Sequence, residues 1–250
     1  TIPVTVSGRI TELDSFETEE GVAALGSTER AAVNVERSAD MVRYGDASVR
    51  VDYNASEEGS ASITSTLTLP SGDRYLSMWV YGDASGNTLT ATFADSEGQH
   101  SDAELTVLDF TGWKQVTAAL PANASSLVSI TITHNGGEKS IGTLYLDQFT
   151  TSNEDMTDTT APTVSLQLTG RNLTAYVSDN VDRSFAQSAV SLTYDGEELS
   201  FGWDEESGAL TASLPADDGL FHRVTVTAVD QSGNIGRSSA DLLPDALTGD

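Results

Sequence analysis

The 250-residue chain sets 12 Lys and Arg against 38 Asp and Glu, a formal charge of −26, which repels nucleic-acid phosphates and anionic membrane surfaces and attracts metal cations. It contains no cysteine, so disulfides, thiolate catalysis and Cys-based zinc sites are excluded. Hydrophobic residues make up 38%, no apolar run approaches the ~18 residues of a membrane span, and the length points to two domains that each bury a core.

Thr1-Ile2-Pro3 opens without the charged stretch of a signal peptide, and the chain reads as an excised or processed piece. The first candidate element, Thr18–Ala24, is short and acidic at its start, one turn of helix or a loop. From Val49 the period is two. Val49, Val51 and Tyr53 alternate with Ser48, Arg50 and Asp52, giving one apolar and one polar face. The same pattern predicts strands at Ile63–Leu69, Leu76–Tyr81, Leu89–Phe93, Leu105–Phe110, Lys114–Leu120, Val128–Thr133 and Thr143–Phe149. Eight or nine short strands in about 150 residues suggest a jelly roll or sandwich. The segment TSNEDMTDTTAP, 151–162, holds one large apolar residue, Met156, and ends in Ala-Pro; it is the expected linker.

Beyond it the strand pattern restarts at Val164–Thr169, Leu173–Ser178, Ser188–Tyr194, Glu198–Trp203, Ala209–Leu214, Arg223–Val229 and Arg237–Leu242. Seven strands in about 80 residues is an immunoglobulin-like number. If they run alternately down and up, the start of the first and the loops after the second and sixth share one pole. That pole holds Asp158, Asp179, Asp182 and Asp230. Four converging carboxylates repel unless solvated or neutralised, and oxygen-only ligands point to Ca2+. The alternative is that Asp179 and Asp230 merely close Asx turns.

Three histidines, His100, His134 and His222, stand apart from any second ligand or nucleophile at a recognisable spacing and are expected in loops or on the surface. Asp217-Asp218 and Glu205-Glu206 are expected as solvated turns. Sugars stack their C–H faces on aromatic rings, so each tryptophan matters. In Leu76-Ser77-Met78-Trp79-Val80-Tyr81 both faces are apolar. One register turns Trp79 and Tyr81 outward as a stacking platform; the other, which we favour from the sequence, puts them in the core. Trp113 is expected as a core plug at a sheet edge and Trp203 as a sandwich-core residue.

An ordered set of segments carries a resemblance: Asp14-Ser15-Phe16-Glu17, Tyr44-Gly45-Asp46-Ala47-Ser48-Val49-Arg50, Met78-Trp79-Val80-Tyr81-Gly82-Asp83-Ala84-Ser85-Gly86-Asn87, Thr111-Gly112-Trp113-Lys114 and Gly142-Thr143-Leu144-Tyr145-Leu146-Asp147. Over about residues 10–150 it resembles the galactose-binding-like jelly roll attached to bacterial phosphodiester glycosidases of the N-acetylglucosamine-phosphodiester type and to related surface or exopolysaccharide proteins. The chain departs from such relatives on the strand after the Gly-Asn turn, where it has Thr88 and Thr90. Asp158–Ser239, with Ala228-Val-Asp230-Gln-Ser-Gly-Asn234, looks like the immunoglobulin-like repeats that accompany such modules. The resemblance implies an accessory role. It also implies a structural Ca2+ site from an acid after the first-strand Phe, the loop before the next long strand and an Asp on the last strand, where Glu17, Asp46 and Asp147 stand.

The expectation is therefore an all-β, non-catalytic, monomeric, secreted or cell-surface fragment. A jelly-roll β-sandwich (galactose-binding-like) at 1–151 and a linker at 152–162 precede an immunoglobulin-like β-sandwich at 163–243 and a tail at 244–250. It would bind an oligosaccharide or polysaccharide of the cell envelope or an exopolysaccharide weakly, with Trp79 and Tyr81 stacking, and neither nucleic acid nor the membrane interior. The alternative is a structural spacer or adhesion module that binds no sugar.

Overall fold

A computed structural model describes residues 8–18 and 22–244. The expectations for the first three residues and for tail residues 245–250 lie outside the described residues, as do residues 19–21 of the candidate helix. Thr18 and residues 22–24 form a bend and a turn. The chain divides into two compact units, Thr1–Thr157 and Asp158–Asp250.

In the first unit the strands are β1 (Ile10–Asp14), β2 (Leu25–Gly26), β3 (Ala31–Glu36), β4 (Ser48–Asn54), β5 (Ser60–Ser65), β6 (Tyr75–Asp83), β7 (Thr88–Asp95), β8 (His100–Val107), β9 (Thr111–Ala119), β10 (Ala124–Thr133) and β11 (Ile141–Ser152). They form two antiparallel sheets, one ordered β3-β4-β11-β6-β9 with β1 also on β11, the other β2-β5-β10-β7-β8. Val49, Val51, Met78, Val80, Leu144 and Leu146 of the first sheet and Ile63, Leu89, Phe93, Ile130 and Ile132 of the second join one buried cluster. The two sheets thus pack face to face as a sandwich. Period-two alternation supplies the driving force, since each strand turns every second side chain into that cluster, at about 1.5–3 kcal/mol per large apolar side chain.

β11 continues through Ser152, so Thr151 and Ser152, assigned by composition to the linker, are strand. Their polar side chains fit because loop groups beside the sheet accept their hydroxyl hydrogens. Thr151 Oγ1 donates to Asp73 Oδ2 at 2.5 Å, and Ser152 Oγ donates to the Glu154 carbonyl at 2.7 Å.

The second unit holds β12 (Thr163–Thr169), β13 (Asn172–Ser178), β14 (Val190–Tyr194), β15 (Glu197–Glu198), β16 (Gly202–Asp204), β17 (Ala209–Ser213), β18 (His222–Val229) and β19 (Ile235–Leu242). They make two four-stranded sheets, β12-β13-β17-β16 and β15-β14-β18-β19, over a core that includes Leu173, Leu192, Leu210, Val224 and Val226. The single strand expected at Glu198–Trp203 is instead two pieces in different sheets, the chain leaving one sheet for the other between them. Trp203 packs against the core and donates Nε1–H to the Phe185 carbonyl at 2.8 Å.

Candidate functional site

Parity fixes which way the aromatic residues of the first unit point. Met78 and Val80 belong to the core cluster, so Trp79 and Tyr81 stand on the opposite, outer face of the six-stranded sheet. The same reasoning turns Trp113 outward on β9, where Val116 and Ala118 are core, and Tyr145 and Asp147 outward on β11, where Leu144 and Leu146 are core. The favoured register, which turned Trp79 and Tyr81 into the sandwich, and the core-plug expectation for Trp113 are therefore corrected, although Trp79 is buried all the same. A run that is apolar on both faces carries no sign of its own register; the partner strands settle it.

Register then brings these residues together. Asn34, Arg50, Tyr145, Tyr81 and Trp113 are successive cross-strand partners on β3, β4, β11, β6 and β9. Tyr81 is the middle ring, 5.6 Å from Trp113 and 5.8 Å from Tyr145 by centroid and almost perpendicular to both, an arrangement worth about 0.5–1.5 kcal/mol per pair beyond burial. All three rings are half-buried. Beside the row, Gly82 lies opposite Gly112, and a Cβ on Gly82 would run into the Phe110 carbonyl. At the far end Arg50 is held by Asp52, Nε lying 3.1 and 3.0 Å from its two oxygens, and Thr143 Oγ1 donates to the same carboxylate at 2.6 Å. A depression of about 370 Å3 follows, its lining including Arg30, Asp52, Asn54 and Thr143.

The next register level holds Asp147, Trp79 and Gln115. Trp79 is 4% exposed although it faces outward. Phe16 packs edge-on against Phe149 at 5.1 Å and sends Glu17 toward the loop before β4. Glu17 accepts N–H bonds from Asp46 and Ala47, at 2.8 and 3.2 Å. Asp147 is fully buried and its Oδ2 accepts N–H bonds from Arg43 and Tyr44. Its Oδ1 has no hydrogen-bond partner. Burial pushes the Asp147 carboxyl up to about 6, against the bonds from Tyr44 and Arg43, with the nearby Glu17 charge adding to the rise. A buried, half-satisfied carboxylate of raised pKa beside a second carboxylate suits a hard cation. Asp46 contributes its backbone N–H to Glu17; the carboxylates of Glu17, Asp46 and Asp147, expected together, do not form a three-acid cluster among the described residues.

In the second unit the structure does assemble such a cluster: ligand oxygens of Asp158, Asp179 and Asp230 lie within 4.8 Å of one another. An Asx turn is present as well at Asp179, whose Oδ2 accepts from Val181 and Asp182 N–H at 2.8 and 2.9 Å; Asp230 Oδ1 instead accepts from Asn234 N–H, four residues on, at 2.7 Å. Asp179 Oδ1 is buried without a hydrogen-bond partner, so turn chemistry leaves one oxygen over. Asp182 is outside the three-acid cluster; it accepts the Gln231 N–H at 2.6 Å. Burial raises its carboxyl to about 6, and the charges of Asp179, Asp230 and Asp158 reinforce the shift.

The histidines differ from one another. His100 is exposed on β8, and His134 Nδ1 pairs with Asn87 Oδ1 at 3.0 Å. His222 lies between Asp195 and Asp218, 2.6 Å from one at Nδ1 and 2.8 Å from the other at Nε2, and stacks on Tyr194. Two carboxylates facing both ring nitrogens favour the imidazolium, and the hydrogen bonds to Asp195 and Asp218 raise the His222 pKa. Asp218, expected as a solvated turn residue, is thus one arm of a clamp.

A family model described as carbohydrate binding domain (family 11) matches residues 1–158. No curated protein matches the chain. Among solved structures, the family 11 carbohydrate-binding module of the cellulosomal cellulase Lic26A-Cel5E of Clostridium thermocellum is similar at 16% identity and a TM-score of 0.39, over 57% of this chain and 94% of that one; the module from that organism is also known in complex with a β-1,3-1,4-mixed-linked tetrasaccharide. The glycoside hydrolase domain of Endo-D from Streptococcus pneumoniae R6 is similar at 16% identity and a TM-score of 0.38, over 86% of this chain. The chain spans only 36% of the length of that domain. Likenesses this distant carry no argument about ligand or reaction.

Proposed function

Since the chain belongs to the family 11 carbohydrate binding domains, matched over residues 1–158, we propose that the outer face of the six-stranded sheet is its glycan-binding face. Tyr145, Tyr81 and Trp113 would supply the stacking row and Arg50 the polar end. The observation that carries this reading is the row itself, with three rings side by side at one register level on three neighbouring strands. A glycan lying along it would cross the strands, laying C–H faces on the rings while Arg50, fixed by Asp52, meets a hydroxyl. Binding is expected to be weak, because hydroxyl groups exchange water hydrogen bonds for protein ones of similar strength. The ligand is a poly- or oligosaccharide, from a cell envelope or an exopolysaccharide; a mixed-linkage β-1,3-1,4-glucan is the natural first probe.

The role is accessory and non-catalytic, at the cell surface or outside the cell, with the second unit an immunoglobulin-like spacer. Ca2+ would bind at two places. In the first unit Glu17 and Asp147 would hold it, the orphaned Asp147 Oδ1 supporting that assignment. In the second, Asp158, Asp179 and Asp230 would hold it, with Asp182 adding charge from beside them. In both it would neutralise crowded carboxylates and stabilise loops. The test is retardation of the whole chain in gels containing mixed-linkage glucan, xylan or mannan. Retardation by at least one, lost in Tyr81→Ala while that variant is still folded at the assay temperature, supports the reading. Equal migration in all three gels contradicts it.

A further inference from the structure

Trp79 has the parity of a stacking residue but not the exposure, and two adjacent residues, Arg43 and Tyr44, pack against its ring. The Arg43 guanidinium carbon lies 4.0 Å from the Trp79 ring centroid and 4.4 Å from that of Tyr44. Tyr44 meets Trp79 edge-on at 6.0 Å and is 45% exposed, whereas Trp79 is 4% exposed. Tyr44 therefore presents the surface that Trp79 cannot.

The loop carrying this pair is seated by two carboxylates. Asp147 Oδ2 receives the backbone N–H groups of Arg43 and Tyr44, at 2.9 and 3.0 Å, while Glu17 receives those of Asp46 and Ala47. Between the two anchors Gly45 adopts φ 69°, and a Cβ there would collide with the Glu17 carboxylate. Only glycine suits both the left-handed conformation and the close approach. Asp147 is also the cross-strand partner of Trp79, so anchor and covered ring sit side by side.

We infer that Arg43 and Tyr44 form a side wall of the glycan face, with Trp79 as its seat and Glu17 and Asp147 as its positioning residues, so that a sugar resting on the aromatic row touches Tyr44 and not Trp79. This rests on the reading of that face as the sugar site. It reassigns Trp79 from stacking to support. The half-buried Arg43 guanidinium, in cation–π contact with both rings, favours the closed wall in the absence of sugar.

The experiment uses the whole chain labelled with 5-fluorotryptophan, which gives one 19F resonance for each of its three tryptophans, Trp79 being assigned through Trp79→Phe. The solvent isotope shift of that resonance reports its cover without any sugar, and retardation by mixed-linkage glucan reports binding. Glu17→Gln, an anchor outside the face, is expected to make the Trp79 resonance solvent-sensitive and to weaken retardation about five-fold or more. Tyr44→Ala is expected to weaken it similarly at an unchanged melting temperature. An uncovered Trp79 with retardation equal to or above wild type makes the pair a lid over a stacking tryptophan and overturns the inference. A Trp79 that stays covered in both Glu17→Gln and Gly45→Ala overturns the positioning role. A wild-type chain retained by none of glucan, xylan and mannan removes the sugar reading and the wall together; that outcome is distinct, because it appears before any variant is made.

Discussion

The two outer faces of the first unit are built by the same rule and come out opposite in chemistry. On the six-stranded sheet the outward positions bring together Arg50, Tyr145, Tyr81 and Trp113. On the five-stranded sheet they form three rows of three hydroxyls: Ser60, Thr133 and Thr88; Ser62, Thr131 and Thr90; Thr64, Ser129 and Thr92. These hydroxyls satisfy one another and their neighbours, with Ser62 Oγ 2.7 Å from Thr131 Oγ1 and Thr92 Oγ1 donating to Asp102 at 2.7 Å. Threonine on a solvated strand is what β-propensity alone selects. Half-buried rings on an outer face leave apolar surface in water, which on the proposed reading a sugar covers.

Substitutions should separate the faces most sharply. Trp113→Ala combined with Tyr81→Ala is expected to remove glucan retardation, a loss of about 2 kcal/mol or more, as for central aromatic anchors elsewhere. Thr90→Ala combined with Thr131→Ala should leave it unchanged, and affinity electrophoresis of both double variants checks this. Equal losses from the two faces would dissolve the contrast.

A second contrast is between carboxylates that the fold tolerates and those it strains. Asp147 and Asp182 titrate near 6 in the folded chain, above the ordinary 3.8. The folded state therefore holds their protons more tightly than the unfolded state. Their ionised forms cost stability above pH 6, and that cost is relieved as the pH falls from about 6 toward 3.8. Asp52, Asp73 and Asp204 are shifted down; they stabilise above 3.8 and cease to do so as the pH drops through their folded values. In chelator, the melting temperature should therefore be higher at pH 5 than at pH 8, each strained acid contributing about 1 kcal/mol. Millimolar Ca2+ should raise it at pH 8 and narrow the difference, and calorimetry in both media measures this. Asp179→Asn should abolish the part of the Ca2+ response that belongs to the second unit.

The smallest expected effect is at His222. Its folded pKa is raised above 6.5, so the clamp to Asp195 and Asp218 is fully formed below pH 6.5 and is lost as the pH rises through the folded value. His222→Gln should flatten a shallow decline in stability on the alkaline side, read from melting curves between pH 6 and 9.

Alternation in Ser48–Tyr53 and Thr88–Phe93 revealed strands and sandwich directly, because one face of each was polar. Ala31–Glu36 and Ile10–Asp14 carry weaker alternation and were missed, their pairing being supplied by β4 and β11. Strand parity pointed to the acidic pole of the second unit: Asp158, Asp179 and Asp230 gather there, while Asp182, expected with them, stands outside the cluster. The aromatic row did not. Trp113, Tyr81 and Tyr145 are far apart in the chain, and only the β9-β6-β11 register makes them neighbours. Thr88 and Thr90, which the sequence singled out, lie on β7 of the other, five-stranded sheet.

The central claim is that sugar meets the aromatic face and not the hydroxyl face. Titrating a mixed-linkage gluco-oligosaccharide into 13C-labelled protein, with ring and threonine-methyl signals followed together by NMR, tests it most directly. The account predicts shifts for Tyr81, Tyr145 and Trp113 while the methyls of Thr88, Thr90 and Thr131 stay in place; shifts confined to those methyls, with the rings unmoved, would contradict it.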